Sequence, residues 1–354
     1  MDILILAPGN SIHSKRWIDA FKNRFSVLWV SLHSFEYETS AAKQIQYTGN
    51  PILLIISGLK ILFLALRYKI DLIHIHSIAR YGLAAIFLCL FSKKKLILSP
   101  WGSDLIYGKN NFFWYLVIKY LIRRSDKIIV DAEHMKNLCI SIDEQCEAKI
   151  EKIMFGIDID FFKNSIRKES REISFNILSV RNHEDIYNID KIIEAFSVIY
   201  RELDNCKLTI MGYGSNTNSL KQQAQDLSLR NNISFTGKLD RDGMLDIINQ
   251  SDIIISASNS DAGLSSSIGE AMSCEKIVLA SAEGGENHLW IEENETGYLF
   301  DHNSVDSLVS TMKKANKNRS RFENMGKKAR RIILEKNNSK IEMSRVEKIY
   351  TQFI

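Results

Sequence analysis

Hydrophobic and polar positions along the chain follow two alternating periods. Short apolar runs of strand length are each followed by a longer segment in which apolar residues recur at helical spacing. In the first half these runs are DILILA (2–7), FSVLWVSL (25–32), DLIHIH (71–76), KLILS (95–99) and KIIV (127–130). Strands that alternate with helices in this way predict a parallel sheet with helices on both of its faces.

The same alternation starts again after about residue 170. Its apolar runs are SFNILSV (174–180), KLTIMG (207–212), ISFTG (233–237), DIIISAS (252–258) and KIVLAS (276–281). A chain of 354 residues is longer than one hydrophobic core usually organises. We therefore predict an α/β chain of two Rossmann-like, doubly wound domains, residues 1–162 and 163–339, with a C-terminal helix over 340–354 that joins the first.

Composition and cysteine usage exclude several classes of protein. The chain is 45% hydrophobic and 25% charged, which is the balance of a globular protein and not of a disordered one. Its five cysteines are scattered, with no CxxC and no histidines at metal spacing, so we expect neither disulfides nor a zinc site. The first residues, MDILILAPGN, lack the basic start of a signal peptide, so we expect a cytoplasmic protein.

Positive charge is concentrated in the first 165 residues, which contain 21 Lys and Arg against 15 Asp and Glu. Two apolar segments with basic residues lie there, 51–70 and 111–124. Charges at Lys60, Arg67 and Lys69 make 51–70 a poor membrane span. The segments predict either helices packed on a sheet or a surface that lies on anionic lipid. Nothing in the charge pattern resembles a nucleic-acid-reading motif, so we expect no nucleic-acid partner.

Polar residues follow the strands of the first half, where α/β folds bind ligands. Gly9, Asn10 and His13 follow the first strand in PGNSIHSKRW, although His13 could simply pack the first helix. In DLIHIHSIARYG, His74 and His76 share one face of a strand, and Arg80 lies just beyond it. We favour a substrate-facing His76 and a buried, hydrogen-bonded His74 over a metal pair, because no third ligand is visible.

The stretch LSPWGSDLI (98–106) follows another predicted strand. Trp101 offers a flat apolar face to a sugar or a lipid. Asp104 is either a general base that binds a hydroxyl group or a cap of the next helix.

Strand ends in the second half carry residues suited to phosphate. Arg181 follows the strand SFNILSV and could form a bidentate pair with a phosphate. Glycine turns follow the next two strands, with Gly212 in MGYGS and then Gly237, Lys238 and Leu239 in FTGKL. Since parallel strands end at one edge of a sheet, these residues are expected to converge.

The segment SNSDAGLSSSIGEAMSC (258–274) joins a strand to a predicted helix. Its small residues, including Gly263, Leu264 and Ser265, lie at the helix start, where free N–H groups bind anions. Glu270 lies about two turns inside the helix and could accept hydrogen bonds from vicinal hydroxyl groups. Alternatively, Glu270 is a plain helix residue.

Taken together, these motifs resemble a retaining glycosyltransferase of the GT-B fold, family 4, and are closest to bacterial enzymes of O-antigen or capsule synthesis. The most specific part is Gly-Glu-Ala-Met (269–272) with the following KIVLAS, EGG and ENETGYLF. The resemblance implies two domains that face a cleft. It implies that Arg181 binds the diphosphate, that Glu270 holds the ribose, and that 263–265 contact diphosphate and sugar. It further implies that 237–239 line the base and that Gly9 faces the diphosphate.

Three positions depart from the family pattern. Tyr187 stands where the family usually has a lysine, so one positive charge on the leaving group is missing. Ala262 stands at the usual place of the first acid, and Asp261 precedes it by one residue. Trp101 replaces a histidine common in the family, so His76 or Asp104 would handle the acceptor hydroxyl group.

The resemblance implies a metal-independent, retaining transfer of a sugar from a UDP-sugar, with N-acetylgalactosamine as the first expectation. The acceptor would be an undecaprenyl-diphosphate-linked saccharide at the inner face of the membrane, and no cofactor besides the co-substrate is expected. A UDP-sugar 2-epimerase and a non-catalytic nucleotide-sugar-binding protein share the same two-domain layout and stay open as alternatives.

Overall fold

The computed structural model describes residues 2–50, 53–165, 174–203, 205–259, 261 and 263–354. These residues form two compact units. The first comprises Met1–Gly156 and Lys340–Ile354, and the second comprises Ile157–Ser339. The chain thus leaves the first unit after Gly156, where the sequence suggested residue 162, and returns to it at Lys340.

The first unit is built on one parallel sheet. Its strands are β1 (Ile3–Leu6), β2 (Val27–Ser31), β3 (Ala42–Gln46), β4 (Leu72–His76), β5 (Lys95–Ser99), β6 (Lys127–Val130) and β7 (Ile150–Lys152). Among the described residues they pair in the order β3-β2-β1-β4-β5-β6-β7, all parallel. The direction of winding reverses between β1 and β4, and that reversal opens the crevice where doubly wound sheets bind ligands.

Helices flank this sheet. They are α1 (Ile12–Asp19), α2 (Leu54–Arg67), α3 (Arg80–Ala84), α4 (Ile86–Phe91), α5 (Ser103–Asn110), α6 (Phe112–Arg124) and α7 (Glu133–Ile142). Side chains of Ser11 and Asn111 cap α1 and α6 by accepting hydrogen bonds from free first-turn N–H groups.

The C-terminal helix (Ser339–Phe353) completes the core of the first unit. Its Tyr350 is fully buried, and the Tyr350 hydroxyl accepts a hydrogen bond from Trp17 Nε1 at 2.9 Å. Val346 and Ile349 from the same helix pack into the apolar cluster that contains Ile3 and Ile5 of β1. The last residues of the chain therefore belong to the same core as the first strand.

The second unit repeats the construction. Its strands are β8 (Phe175–Val180), β9 (Cys206–Met211), β10 (Ile233–Gly237), β11 (Ile253–Ser256), β12 (Ile277–Ser281) and β13 (Gly297–Phe300). Within the described residues they pair in the order β10-β9-β8-β11-β12-β13, again all parallel. Here the winding reverses between β8 and β11.

Seven helices are described in the second unit. They are α8 (Ile189–Glu202), α9 (Thr217–Asp226), α10 (Arg241–Gln250), α11 (Ser266–Ser273), α12 (Asn287–Trp290), α13 (Val305–Lys317) and α14 (Phe322–Lys336). α8 packs against α13, and α11 packs against α14. The strands β8, β11 and β12 are mostly apolar and buried, as expected for parallel strands covered on both faces.

Two edge strands of the first sheet had no counterpart among the predicted apolar runs. β3 (AKQIQ) is polar and only partly buried, and β7 (IEK) has three residues. Both lie at the edges of the first sheet, where one side of a strand needs no apolar cover. Within the described ranges, no helix is both long enough and apolar enough to cross a lipid bilayer.

Candidate active site

Arg181 is the centre of a polar cluster at the reversal point of the second sheet. It follows β8, and the loop that follows β11 brings three oxygen-bearing side chains to its guanidinium group. Arg181 donates hydrogen bonds to Ser265 Oγ, to Ser258 Oγ at 3.2 Å, and to the carboxylate of Asp261. The structure therefore joins Arg181 with Asp261 and Ser265, as the strand-end argument predicted.

Tyr187 supports the same guanidinium group from its flat side. Arg181 Cζ lies 4.3 Å from the centre of the Tyr187 ring, a cation–π contact. Tyr187, at the position where the family usually has a lysine, thus adds no second positive charge. Its ring instead holds the guanidinium group of Arg181 in place. Ala262, at the usual place of the first acid, lies outside the described residues.

The start of α11 lies next to Arg181. Ser265 is the N-cap residue, yet its side chain does not cap the helix. Instead, Ser265 Oγ accepts from Arg181 and lies 2.9 Å from Ser267 Oγ. First-turn N–H groups that the N-cap side chain leaves free are suited to an anion, and the helix dipole adds to this preference.

Glu270 lies inside α11 and is 3% exposed. Carboxylates are rarely buried without partners, because removal from water disfavours the charge. This burial argues against a plain surface residue at position 270. Gly263 and Leu264 precede the helix, with Gly263 buried and Leu264 half-buried.

The glycine turns after β9 and β10 meet behind Arg181. Gly212 donates its N–H to the Gly237 carbonyl at 3.0 Å and has a φ of 138°. A Cβ at Gly212 would lie 2.0 Å from the Arg181 carbonyl oxygen, so only glycine fits there. Lys238 is exposed and Leu239 is half-buried after this turn. The predicted convergence of these strand ends is thus present in the backbone.

His183 belongs to this site, although the sequence analysis did not single it out. Its ring is 1% exposed, and its Nδ1 lies 2.9 Å from Thr217 Oγ1. Nε2 has no partner among the described residues. Burial, together with the charge of Lys221, lowers the pKa of His183. The signal available was a polar residue two positions after Arg181, between a strand end and a helix.

In the first unit, a cluster of rings occupies the reversal point of the sheet. His76 ends β4 and is fully buried, with its ring 5.0 Å from Trp17 and 6.0 Å from Trp101. The His13 ring lies 5.0 Å from that of Phe155. Both ring nitrogens of His76, Nδ1 of His13 and Nε1 of Trp101 are buried and have no partner among the described residues.

Burial keeps the two histidines uncharged at neutral pH. It lowers the pKa of His76 to about 3. It also lowers the pKa of His13 to about 4, with a further contribution from the charge of Arg16. Uncharged imidazoles that lack partners are suited to hydroxyl groups, because a buried polar atom gains most from a new hydrogen bond.

His74, the other histidine of β4, has hydrogen-bonding partners on both of its ring nitrogens. Its Nδ1 lies 2.6 Å from the Tyr350 hydroxyl, and its Nε2 lies 2.8 Å from Ser99 Oγ. The two histidine rings of β4 are 4.2 Å apart, as expected for alternate residues on one face of a strand. His74 is therefore a structural residue, whereas His76 is chemically unsatisfied.

Asp104 must be corrected as a candidate general base. Its carboxylate accepts backbone hydrogen bonds from Ile78, from Trp101 at 3.0 Å and from Leu105 at 3.0 Å. Burial raises the pKa of Asp104, and these backbone donors oppose the rise. With both oxygens engaged, Asp104 ties the loop after β4 to the loop that carries Trp101. It is a positioning residue.

Three further candidates of the first unit take no part in the ring cluster. The Gly9 N–H donates to Ser31 Oγ at 2.8 Å, so it is not free for the diphosphate contact that the resemblance implied. Asn10 is exposed, and Arg80 is exposed at the start of α3. Asn10 and Arg80 therefore lie on the surface, and Gly9 is part of a hydrogen-bonded turn.

A different group of side chains has the spacing of metal ligands. Among the described residues, ligand atoms of Glu283, Asp301 and His302 lie within 4.8 Å of one another. The two acids are exposed, and such groups are common on protein surfaces without an ion. Neither His74 nor His76 belongs to a group of this kind within the described ranges.

Several helices of the first unit expose large apolar side chains, a surface we call the apolar face. Its members on α2, α4 and α6 are Ile55, Ile56, Leu59, Phe63, Leu66, Leu90, Phe91, Phe112, Phe113 and Leu116. Phe63 is 67% exposed and Phe112 is 78% exposed. On α2 these exposed apolar side chains stand beside the exposed cations Lys60 and Arg67.

Both units match known families. Residues 2–132 match the family described as "Glycosyl transferase 4-like", and residues 159–332 match the family described as "Glycosyl transferases group 1". The first match lies within the unit that holds the ring cluster, and the second includes Arg181, Asp261 and Glu270.

Curated proteins of three organisms are similar over long stretches. An uncharacterized glycosyltransferase of Methanocaldococcus jannaschii is 28% identical, covering 75% of this chain and 70% of that protein. The N-acetyl-alpha-D-glucosaminyl L-malate synthase of Bacillus anthracis is 22% identical, covering 81% and 76%. The alpha-monoglucosyldiacylglycerol synthase of Streptococcus pneumoniae is 26% identical, covering 57% and 50%.

A similar solved structure is that of Anabaena HepE in complex with UDP and glucose. It superimposes with a TM-score of 0.84, covers 99% of each chain, and is 16% identical in sequence. At this identity the likeness concerns the fold, and it confirms the predicted GT-B architecture of two parallel-sheet α/β domains.

Proposed function

We propose that this chain, which belongs to the glycosyltransferase group 1 and GT4-like families and acts on a nucleotide sugar, transfers a sugar from a UDP-sugar to a lipid-linked saccharide. The proposed reaction retains the configuration at the anomeric carbon and needs no metal ion. An N-acetylhexosamine such as N-acetylgalactosamine is the proposed sugar, and undecaprenyl diphosphate is the proposed lipid carrier. The proposed pathway is that of O-antigen or another surface polysaccharide.

The observation that carries the donor half of the proposal is the cluster at Arg181. A guanidinium group held by Tyr187, Ser258 and Ser265 lies beside the free start of α11. Both features bind anions, and a diphosphate offers oxygens to both at once. Glu270 in the same helix would accept hydrogen bonds from the ribose hydroxyl groups. The complex of Anabaena HepE with UDP and glucose supports the choice of UDP as the nucleotide.

In the proposed chemistry, the bond between the sugar and the diphosphate breaks as the acceptor oxygen approaches from the same face. The leaving diphosphate takes the proton of the acceptor hydroxyl group, so charge and protons balance without a separate base. Arg181 and the α11 start stabilise the charge that develops on the diphosphate. This route suits a chain in which Asp104 has both carboxylate oxygens bonded to backbone N–H groups.

The ring cluster of the first unit supports the acceptor half. His13, His76 and Trp101 present unpaired ring nitrogens beside flat apolar surfaces. Sugars have hydroxyl groups along their edges and C–H groups on their faces, so they match such a lining. Because both histidines stay uncharged, they would position a neutral acceptor sugar rather than remove its proton.

The apolar face supports a membrane-bound acceptor. Phe63 on α2 and Phe112 on α6 are among its most exposed members, and the cations Lys60, Arg67 and Lys93 are exposed on or near the same helices. Apolar side chains flanked by cations favour the interface of an anionic bilayer. The Streptococcus pneumoniae relative is named as the synthase of a glycolipid, which supports an acceptor that lies in a membrane. We therefore propose a peripheral protein on the inner face of the cytoplasmic membrane.

Vesicle flotation tests the membrane half of the proposal. The wild type should float with phosphatidylglycerol-containing vesicles and less with pure phosphatidylcholine, and Phe63→Glu with Phe112→Glu should abolish flotation. Leu289→Glu, at a leucine of the second unit that is 53% exposed, is the matched control and should float like the wild type. A wild type that ignores anionic vesicles would contradict this half.

Donor screening and product analysis test the catalytic half. We expect a UDP-sugar, and no GDP-sugar, to raise the melting temperature of the protein. UDP should then be released only when an undecaprenyl-diphosphate-linked saccharide is added. An epimerised sugar formed from the donor alone would instead identify the 2-epimerase. Donor binding without any turnover on lipid-linked saccharides would identify a nucleotide-sugar-binding protein.

A further inference from the structure

Asp261 occupies an edge of the Arg181 guanidinium group that a diphosphate needs. Arg181 Nη2 donates to Asp261 Oδ1 and to Ser258, while Nη1 donates to Ser265. Side chains of Arg181 and Asp261 are 10% and 13% exposed. Among described residues, the hydrogen-bonding groups on the terminal nitrogens of Arg181 are two hydroxyls and this one carboxylate.

A diphosphate and the Asp261 carboxylate cannot both stay on this edge. Two negative groups about 4 Å apart repel each other by several kcal/mol where water is largely excluded. Serine hydroxyls can rotate and remain, because they both donate and accept hydrogen bonds. The carboxylate has no such option. Binding of a diphosphate to Arg181 therefore requires Asp261 to leave.

The attachment of Asp261 suits such a departure. Only Oδ1 is bonded to Arg181, and Oδ2 is buried without a partner among the described residues. A carboxylate that uses one oxygen is held less firmly than one in a two-pronged pair. Gly285 lies directly beside it, where a Cβ would be 3.0 Å from Asp261 Cβ, so a residue larger than glycine would crowd Asp261.

We propose that Asp261 is an internal competitor of the nucleotide diphosphate for Arg181. Without nucleotide, it neutralises Arg181 and keeps the guanidinium group on the Tyr187 ring. When the diphosphate arrives, Arg181 exchanges the carboxylate for phosphate oxygens. As the UDP product leaves, the Asp261 carboxylate binds Arg181 again and replaces the diphosphate of UDP. This inference rests on the proposed function, since it takes a nucleoside diphosphate as the ligand of Arg181.

Competition reduces the apparent affinity for UDP to the intrinsic affinity multiplied by the fraction of time that Arg181 is free of Asp261. Asp261→Asn removes the competing charge but keeps the size and one hydrogen-bonding oxygen. We expect this variant to bind UDP about fivefold more tightly than the wild type in calorimetry. Uridine, which has no phosphate, should bind both proteins equally in ligand-observed NMR. A merely structural effect of the substitution would change both affinities.

Asp252→Asn is the matched control variant. Asp252 precedes β11, whereas Asp261 follows it, and Asp252 also lies beside an arginine, Arg319, at 3.5 Å. We expect Asp252→Asn to lower the melting temperature without changing the affinity for UDP. Unchanged or weaker UDP binding by Asp261→Asn would overturn the inference while the proposed donor stands. A wild type that binds no UDP would overturn the proposed donor and this inference together.

Discussion

The two units place different chemistry at the same position of the same kind of sheet. In the first unit the winding reverses between β1 and β4, and β4 ends at the buried, uncharged His76. In the second it reverses between β8 and β11, which are followed by the charged residues Arg181 and Asp261. One reversal point is lined by aromatic rings and the other by an ion pair.

The difference shows that the fold sets the place of a site, whereas side chains set its charge. Parallel strands deliver their following residues to one edge in both units. In the proposed reaction the group that leaves with negative charge needs fixed positive charge, which Arg181 would supply. A neutral sugar needs hydrogen-bonding atoms and flat surfaces instead. On this comparison, substitutions in the second unit should affect donor chemistry, and those in the first should affect acceptor binding.

The largest effect is expected from Arg181→Gln. Loss of the fixed positive charge should reduce the rate of sugar transfer about a thousandfold, because the developing diphosphate charge loses its main partner. Arg319→Gln is the control, since Arg319 also stacks on a ring, that of Phe175 at 5.1 Å, and lies beside an aspartate. It should change stability but not the transfer rate. Similar rates for the wild type and Arg181→Gln would refute the site.

Glu270→Gln should reduce kcat/KM for the donor about a hundredfold, since a neutral amide holds the ribose hydroxyl groups less strongly than a carboxylate. Steady-state kinetics with varied donor would measure this. Glu342→Gln is the matched control, because Glu342 is also buried in a helix and accepts a hydrogen bond from the Met154 N–H at 2.9 Å. Wild-type turnover by a folded Glu270→Gln would remove Glu270 from the donor site.

His76→Phe should separate acceptor binding from stability. We expect the KM for the acceptor to rise about tenfold with an unchanged KM for the donor, since about one hydrogen bond to the sugar is lost. The free energy of unfolding should stay equal or increase, because two unpaired nitrogens disappear. His74→Phe should instead lose about 1–3 kcal/mol of stability, as Tyr350 and Ser99 lose their partner. A His76→Phe variant with an unchanged acceptor KM would contradict the proposed role.

Acid should lower the stability of the fold. In the folded protein the pKa of His76 is about 3 and that of His13 about 4, whereas the unfolded chain has the ordinary value of 6.5. Between pH 6.5 and about 4 the unfolded state therefore binds more protons, and stability falls as the pH falls. The loss is roughly 1.4 kcal/mol per pH unit for each histidine.

Urea unfolding at pH 7 and pH 5 would measure this dependence. His76→Phe should reduce this dependence, because one of the depressed pKa values is removed. His288→Gln, at an exposed histidine of the second unit, is the control and should leave the slope unchanged. An equal slope in the wild type and in His76→Phe would show that His76 is not the source.

Much of the fold could be predicted from the chain alone. Central strands such as β4 and β11 are short apolar runs, because both faces of a parallel sheet are covered. The polar edge strand β3 could not be recognised, since its residues carry no apolar run. The pattern of apolar residues in the sequence indicates which strands are buried. β3 is only partly buried and is held in the sheet by backbone hydrogen bonds to β2.

The candidate site could be predicted in part, because the order of strands fixes which residues meet at the edge of the sheet. Arg181 and Ser265 were found because they follow strands, and topology alone brings them together. The role of Asp104 could not be read from the sequence, because it depends on backbone N–H groups of Ile78 and Trp101. His183 was missed because a single buried histidine has no spacing signal. Hydrogen bonds from backbone N–H groups do not depend on the donor's residue type, so the sequence does not predict them.

The C-terminal helix has a consequence for the order in which the chain is synthesised. Tyr350 closes over Trp17 and His74, so the core of the first unit needs residues that are synthesised after the whole of the second unit. The second unit, Ile157–Ser339, is by then complete and can fold as a unit during synthesis. A ribosome stalled shortly before Tyr350 would thus carry a complete second unit and a first unit with its aromatic core still open to water.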